Sequence, residues 1–335
     1  MIQQVHSHPD IYRIRVDLPD NPLQYLNAYV IKGVSGNLVI DTGFNRPECK
    51  RALCQGLQEL DIRLQSDTSL FITHLHADHS GLVGLFAQAG CPIYMHPVDY
   101  QYLVDSEDGS TWKAAEDNFM REGMPPAEIK TQFSNQARTF SPDPHFPVNP
   151  VHDGDCLHLA GCDLQVIHTP GHTPGGLSLS CLYLPKEEVF FTSDHILFDI
   201  TPNIQVWYHM KQALQRYLES LQKVRELPVR LALPGHREGD TSIAGRIDEI
   251  VAHHDRRLAE ICHLAGLYPH STAYDIAPHM TWSMRGKQWK DFPPTQKWFA
   301  LGETLAHIEY LVDHGVLCCR EEQGCRHYDL VRTET

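Results

Sequence analysis

The sequence predicts an α/β protein, and three observations carry that prediction. Short apolar runs of strand length alternate with stretches of helical periodicity along most of the chain. Four of those runs end in a loop that begins with histidine or aspartate. The chain has 335 residues and 42% hydrophobic content, enough to bury a large core in one big domain or two.

Each element follows from local pattern. Residues 11–16, 26–31 and 38–41 read as strands. A helix is expected over 47–60, with Ala52, Leu53, Leu57 and Leu60 on one face. The strand 70–73 leads into a histidine-rich loop. A second helix over 81–89 follows with Ser80 as its N-cap, then a strand at 93–96. From about 100 to 150 the rhythm breaks. Helical stretches at 110–122 and 126–136 precede the proline-rich Ser141-Pro142-Asp143-Pro144-His145-Phe146-Pro147. Trp112, Phe119, Met120, Met124 and Phe133 give this insertion enough apolar surface to fold over something, so a lid or substrate-pocket wall is expected, the alternative being a helical decoration filling a surface groove or a dimer contact.

Strands resume at 156–159, 164–168, 177–184 and 189–192, followed by an amphipathic helix over 210–225 and a long helix over 243–264. Residues 199–204 form a loop placed to border the site. Helices over 273–280 and 302–314, then a hairpin of 316–319 with 327–331, suggest a small winged-helix-like module.

Lys and Arg total 28 against 42 acidic residues, a formal charge of −14. So acidic a chain is a poor electrostatic partner for phosphate backbones. The stretch Trp282-Ser283-Met284-Arg285-Gly286-Lys287-Gln288-Trp289-Lys290 interleaves cations with aromatics, but it holds only three cations and Asp291 follows. Nucleic acid is therefore not the expected partner; closing one side of the site, or forming a homodimer, is preferred. No signal-like or bilayer-length apolar stretch is visible, so a cytoplasmic location is expected, with the ten cysteines mostly reduced. Cys318, Cys319, Cys325 and His327 lack the spacing of a zinc clip, and a redox or purely structural role is the default.

The chemistry concentrates in Thr73-His74-Leu75-His76-Ala77-Asp78-His79-Ser80-Gly81. Imidazole nitrogen and carboxylate oxygen are the donors that zinc and similar divalent ions choose. In extended chain His74 and His76 point to the same side, while Asp78 and His79 fall on the following bend. His172 stands between two Pro-Gly pairs in Thr169-Pro170-Gly171-His172-Thr173-Pro174-Gly175. Asp194 and His195 end Phe190-Phe191-Thr192-Ser193-Asp194-His195, and His236 ends Leu233-Pro234-Gly235-His236. A two-metal site explains these junctions together.

With His-x-His-x-Asp-His followed by separate His, Asp and His motifs, the chain resembles the metallo-β-lactamase superfamily over about residues 10–265. Leu38-Val39-Ile40-Asp41-Thr42-Gly43 looks like that family's first motif. The resemblance implies a four-layer αβ/βα sandwich, with ligand loops gathered at one sheet edge. It implies that His74, His76 and His172 hold one metal and that Asp78, His79 and His236 hold the other. Asp194 would bridge them, and Asp41 would orient a ligand. Ser193 stands where the family usually has glycine before the bridging aspartate. The branch most resembled is the glyoxalase II and LACTB-like one. That implies a catalytic domain over 1–265, carrying the insertion at about 100–150, and a winged-helix-like domain over 266–335.

The activity expected is hydrolysis by hydroxide generated between two divalent ions, zinc first, with iron or manganese as alternatives. Asp78 would orient the hydroxide, and His195 is a candidate proton donor. The substrate expected is a thioester or ester of a small acyl compound. The alternatives are a phosphodiesterase or ribonuclease and, in another class, a catalytically idle binding protein.

Overall fold

The computed structural model describes residues 1–173, 180–207, 211–239, 242–283 and 286–331, without the side chains of Phe133, Ser134 and Ser180. Pro174, Gly175, Gly176, Met284 and Arg285 lie outside these residues. So do the expected starts of the strand at 177 and of the helix at 210.

One sheet has seven strands in sequential order: β1 (Ile2–Ser7), β2 (Asp10–Asp17), β3 (Tyr25–Gly33), β4 (Gly36–Ile40), β5 (Thr68–Phe71), β6 (Ile93–Met95) and β7 (Asn149–Pro150). Its first four strands pair antiparallel, and β4 through β7 run parallel. The other sheet has the order β12-β11-β10-β9-β8, from β8 (Cys156–Leu159), β9 (Cys162–His168), β10 (Ser180–Leu184), β11 (Val189–Ser193) and β12 (Leu231–Pro234). Here β11 and β12 are parallel and the rest antiparallel.

Strand period assigns the layers. In β3 and β4, Tyr29, Ile31, Leu38 and Ile40 belong to one apolar cluster, and Ala28, Val30 and Val39 between them belong to another. In the other sheet Leu182, Leu184, Val189 and Phe191 join that first cluster, whereas Cys181, Tyr183 and Phe190 face a third. The first cluster is thus the seam between the sheets. Alternation at period 2 gives each sheet a second apolar face that a helix must cover. Helix α1 (Pro47–Glu59) covers one through Leu53 and Leu57. Helices α2 (Ala77–Ser80) and α3 (Val83–Gln88) follow on that side, where Ala77, Val83 and Phe86 join the same cluster. Two later helices, covering 213–225 and 243–267, close the other face through Leu214, Tyr217, Ile247 and Ile250. The αβ/βα sandwich follows.

Several local expectations shift. Ser80 is not a cap of the helix after it; its hydroxyl donates to the carbonyls of Leu75 and His76, and helix α3 starts after Leu82. The insertion begins earlier than expected, with α4 (Pro97–Asp105), then α5 (Ser110–Arg121). The expected helix over 126–136 is broken into α6 (Pro126–Ile129), a 3₁₀ turn Lys130–Ser134 and α7 (Gln136–Thr139), which Asn135 caps by accepting from Ala137 N. After α8 (Ala213–Arg225) and α9 (Ile243–Leu267) come α10 (Ala273–Ile276), α11 (Pro294–Asp313) and the hairpin of β13 (Leu317–Glu322) with β14 (Cys325–Leu330). Helix α11 starts well before the expected position at 302 because Pro294, with φ already fixed, opens its first turn.

The apolar residues of the insertion are spent largely on this C-terminal segment. Phe119, Met124 and Ile129 share a cluster with Ile261, Ile276, Trp298, Leu301 and Leu305, and the Phe119 and Trp298 rings lie 4.3 Å apart. Among the described residues, Cys318, Cys319, Cys325 and His327 form no chelating group. No described helix is long and apolar enough to cross a membrane.

Candidate metal centre

Parallel strands bring their carboxyl ends to one edge, and the chemistry sits there. Asp41 follows β4, Thr73 and His74 follow β5, His172 follows β9, Asp194 follows β11 and His236 follows β12. The seven ligand candidates converge in two groups, His74, His76, His172 and Asp194 in one, and Asp78, His79 and His236 in the other. Within each group the donor atoms lie within 4.8 Å of one another.

The contacts within the groups are between atoms that would face an ion. His74 Nε2 lies 2.9 Å from His76 Nδ1, and His79 Nε2 lies 3.3 Å from His236 Nε2. Asp194 spans both groups: Oδ2 is 3.6 Å from His172 Nε2, and Oδ1 is 3.5 Å from both His79 Nε2 and His236 Nε2. Asp78 Oδ2 is 3.4 Å from His236 Nε2. His172 Nε2 and Asp194 Oδ1 are buried with no hydrogen-bond partner. Buried polar atoms are rarely left orphaned, and a cation between the groups would satisfy both. Gly235 keeps this space open, since a Cβ there would come 2.6 Å from Asp194 Oδ1.

Four imidazoles are oriented from behind. His79 Nδ1 lies 2.8 Å from Asp41 Oδ2, and His74 Nδ1 lies 3.0 Å from Thr73 Oγ1. His172 Nδ1 reaches the Asn203 carbonyl at 3.0 Å, and His236 Nδ1 reaches the Tyr25 carbonyl at 2.7 Å. Fixing the tautomer this way would aim the other nitrogen at a cation held between these side chains. Asp41 stands where the first motif implied. Thr73, Tyr25 and Asn203 were not singled out as orienting groups; Tyr25 and Asn203 act through backbone carbonyls, for which side-chain identity gives no signal. Asp99 of α4 was also missed. It is fully buried and accepts the Leu75 N–H at 3.0 Å, tying the insertion to the metal loop.

Electrostatics divides the two groups. Burial holds His74 well below its ordinary range, and burial together with His172 pushes His76 down to about 3. These imidazoles are neutral at neutral pH, as ligation requires. Burial alone would raise Asp78, but the hydrogen bond to His236 and the His79 charge outweigh it and hold the carboxyl at about 2. His79 and His236 are instead raised despite burial, chiefly by Asp194, with Asp41 and Asp78 adding. The second group thus calls for positive charge.

His195 is not drawn into either group. Its ring is fully buried, packs edge-on to Tyr217 at 5.4 Å, and burial pushes it down to about 3. The site opens beside His76, which is more exposed than the other members of its group. There the Trp207 ring lies 5.5 Å from His76, and Tyr102 of α4 lies 5.9 Å from Trp207.

The family model described as the metallo-beta-lactamase superfamily matches residues 22–236. The chain is 22% identical over 269 residues to the atrochrysone carboxyl ACP thioesterase of Aspergillus fumigatus, covering 77% of this chain and 69% of that protein. It is 24% identical over 255 residues to lactamase-like protein nscB of Trichophyton equinum, covering 75% of this chain and 60% of that one. Among solved structures, a metallo-beta-lactamase family protein from Thermus thermophilus is 28% identical with a TM-score of 0.80, covering 96% of this chain and 98% of that one. A beta-lactamase domain protein from Burkholderia ambifaria has a TM-score of 0.82 at 24% identity, covering 98% of this chain and 94% of its own, and shows the shared fold. With its motif order, its strand-end site and a family match over most of its length, the chain belongs to the metallo-beta-lactamase superfamily, as one of its hydrolases.

Proposed function

We propose that the chain is a two-metal hydrolase acting on the thioester of a small acyl compound. The observation that carries the two-metal reading is Asp194, whose two oxygens face the two ligand groups separately. In this reading His74, His76 and His172 hold one ion, and Asp78, His79 and His236 hold the other. Asp194, with one oxygen toward each group, would serve both, and zinc is the expected metal. When bound there, two such ions would supply Lewis acidity, making water more acidic and an acyl carbonyl more electrophilic.

The chain's own residues supply the rest. Asp78, ionised and 8% exposed, is placed to accept a hydrogen bond from the attacking water. Asp41, Thr73, Asn203 and Tyr25 keep four imidazoles aimed, so little reorganisation is needed during reaction. Trp207 and Tyr102 give the opening beside His76 an apolar wall. We assign His195 a packing role in place of proton transfer.

The thioester preference draws on the relative named a thioesterase and on the acidic balance of the chain. We read residues 266–335 as a winged-helix-like module of the glyoxalase II and LACTB-like type, appended to a catalytic domain over 1–265. A cytoplasmic location is part of the same reading. The test is metal analysis of the purified protein with a panel of acyl thioesters, lactones, a phosphodiester and short RNA. Two equivalents of metal with thioester turnover are expected. Phosphodiester or RNA cleavage with inert thioesters overturns the substrate class, and a protein that takes up no metal overturns the mechanism.

A further inference from the structure

Helix α11 carries a charged group that is largely withdrawn from solvent. The Glu303 side chain is 12% exposed, and its Oε1 lies 3.3 Å from Arg257 Nε and 3.7 Å from His253 Nε2. Arg257 is itself held, donating to the Thr281 carbonyl and lying 4.2 Å over the Trp282 ring. His307 reaches the Glu303 carbonyl at 2.7 Å and His254 at 3.0 Å, and both rings are fully buried. Buried ion pairs of this kind add little net stability, because desolvation offsets the attraction. Stability alone therefore gives a weak reason for the cluster.

Its other oxygen has a more informative contact. Glu303 Oε2 accepts from Asn203 Nδ2 at 3.0 Å, and the Asn203 backbone carbonyl is the group that His172 Nδ1 meets at 3.0 Å. The Asn203 amide also lies 3.4 Å from the Phe299 carbonyl, one helical turn earlier on α11. Gly302 makes the approach possible: a Cβ there would fall 2.9 Å from both Gln205 Cβ and Gln205 Oε1. The C-terminal helix is thus seated on the short loop that orients one imidazole of the first ligand group. His74, in the same group, is oriented by Thr73 from its own strand end and draws on nothing from α11.

We propose that Glu303 is a positioning residue for the first ligand group, fixing His172 through the side chain and carbonyl of Asn203. The C-terminal segment then completes the metal centre without contributing a ligand. This inference rests on the two-metal reading above, and the experiment separates the two. Wild-type protein and the variants His172→Ala and His236→Ala are stripped of metal, and zinc affinity is measured by competition with a chromophoric chelator. Wild type is expected to hold two ions. His236→Ala keeps the first group complete and reports on it alone.

In the His236→Ala background, Glu303→Ala is expected to weaken the remaining ion about 10- to 100-fold, the range for loss of a group that orients a ligand. In the His172→Ala background it is expected to leave the ion held by Asp78, His79 and His236 unchanged. Glu303→Gln, which keeps an acceptor for the Asn203 amide, is expected to restore most of the affinity. Asn203→Ala should match Glu303→Ala, and the double variant should be no worse than either alone. Equal weakening in both backgrounds, no weakening, or additive losses would overturn the inference. Should Glu303→Ala fail to fold, Asn203→Ala carries the same test from a half-buried position. A wild type without metal overturns the two-metal reading and this inference with it, whereas two ions bound and an unaffected Asn203→Ala overturns this inference alone.

Discussion

Asp41 holds His79 from behind: its Oδ2 lies 2.8 Å from His79 Nδ1, and the same carboxylate accepts the Thr73 N–H at 2.9 Å and the Thr73 hydroxyl at 2.8 Å. One side chain therefore aims an imidazole of the second ligand group and ties β4 to the loop after β5. Asp41→Ala is expected to weaken zinc binding at Asp78, His79 and His236 by about 10- to 100-fold. It also leaves the buried Thr73 N–H unpaired, a cost of about 1–3 kcal/mol. Chelator competition reads the first effect and urea unfolding of the metal-free protein reads the second. A variant that binds two ions as tightly as wild type would refute the orienting role.

Ser193 stands before Asp194 where the resembled family usually has glycine, and the structure gives the reason for glycine and the means of doing without it. Its φ is 46°, in the left-handed region, and its hydroxyl lies 2.7 Å from Thr73 Oγ1. A left-handed residue with a Cβ costs about 1 kcal/mol relative to glycine, and a hydrogen bond returns about the same. Ser193→Gly is thus expected to change stability by less than about 0.5 kcal/mol. Ser193→Ala, which keeps the strain and loses the bond, should cost about 1 kcal/mol. Ser193→Val should cost more than about 2 kcal/mol, since β-branched residues resist positive φ. Urea midpoints of the three variants give the order, and Gly falling below Ala would contradict it.

How much of this was legible depended on the kind of signal. The convergence of the candidate ligands could be anticipated because His74, His76, Asp78, His79, His172, Asp194 and His236 announce their chemistry by residue type, and strand ends by apolar runs. The sheets could be read because burial on both faces leaves continuous apolar runs such as 28–31 and 189–191. The orienting carbonyls of Tyr25 and Asn203 could not, because every residue has a carbonyl and only the fold chooses which one is used. Ser80 was misplaced as a cap since a serine before a helical pattern has two uses, and here the backbone turn of 77–80 claimed its hydroxyl. The insertion's aromatic residues pointed to a cover, but sequence alone names no partner. The structure gives Phe119 and Met124 to α11, at the far end of the chain.

That same joint is expected to make the fold pH-sensitive away from the metal centre. Glu122, at the end of α5, accepts hydrogen bonds from Arg326 and Tyr328 of β14, and Glu309 of α11 lies in its field. Burial, with Glu122 and Asp313 adding, pushes Glu309 up to about 7 against the opposing Arg326 and Lys211. Below the ordinary value of 4.5 both folded and unfolded chains hold this proton. Between 4.5 and about 7 the unfolded chain has lost it and the folded chain keeps it, so stability falls as pH rises through that window and levels off above it. Glu309→Gln cannot titrate and is expected to remove the fall, leaving the variant about 2 kcal/mol more stable than wild type at about pH 8 and much closer to it at about pH 5.5. Urea unfolding of both proteins between those two pH values measures the difference. Curves that stay parallel over that range would show that Glu309 does not hold a proton in the folded state.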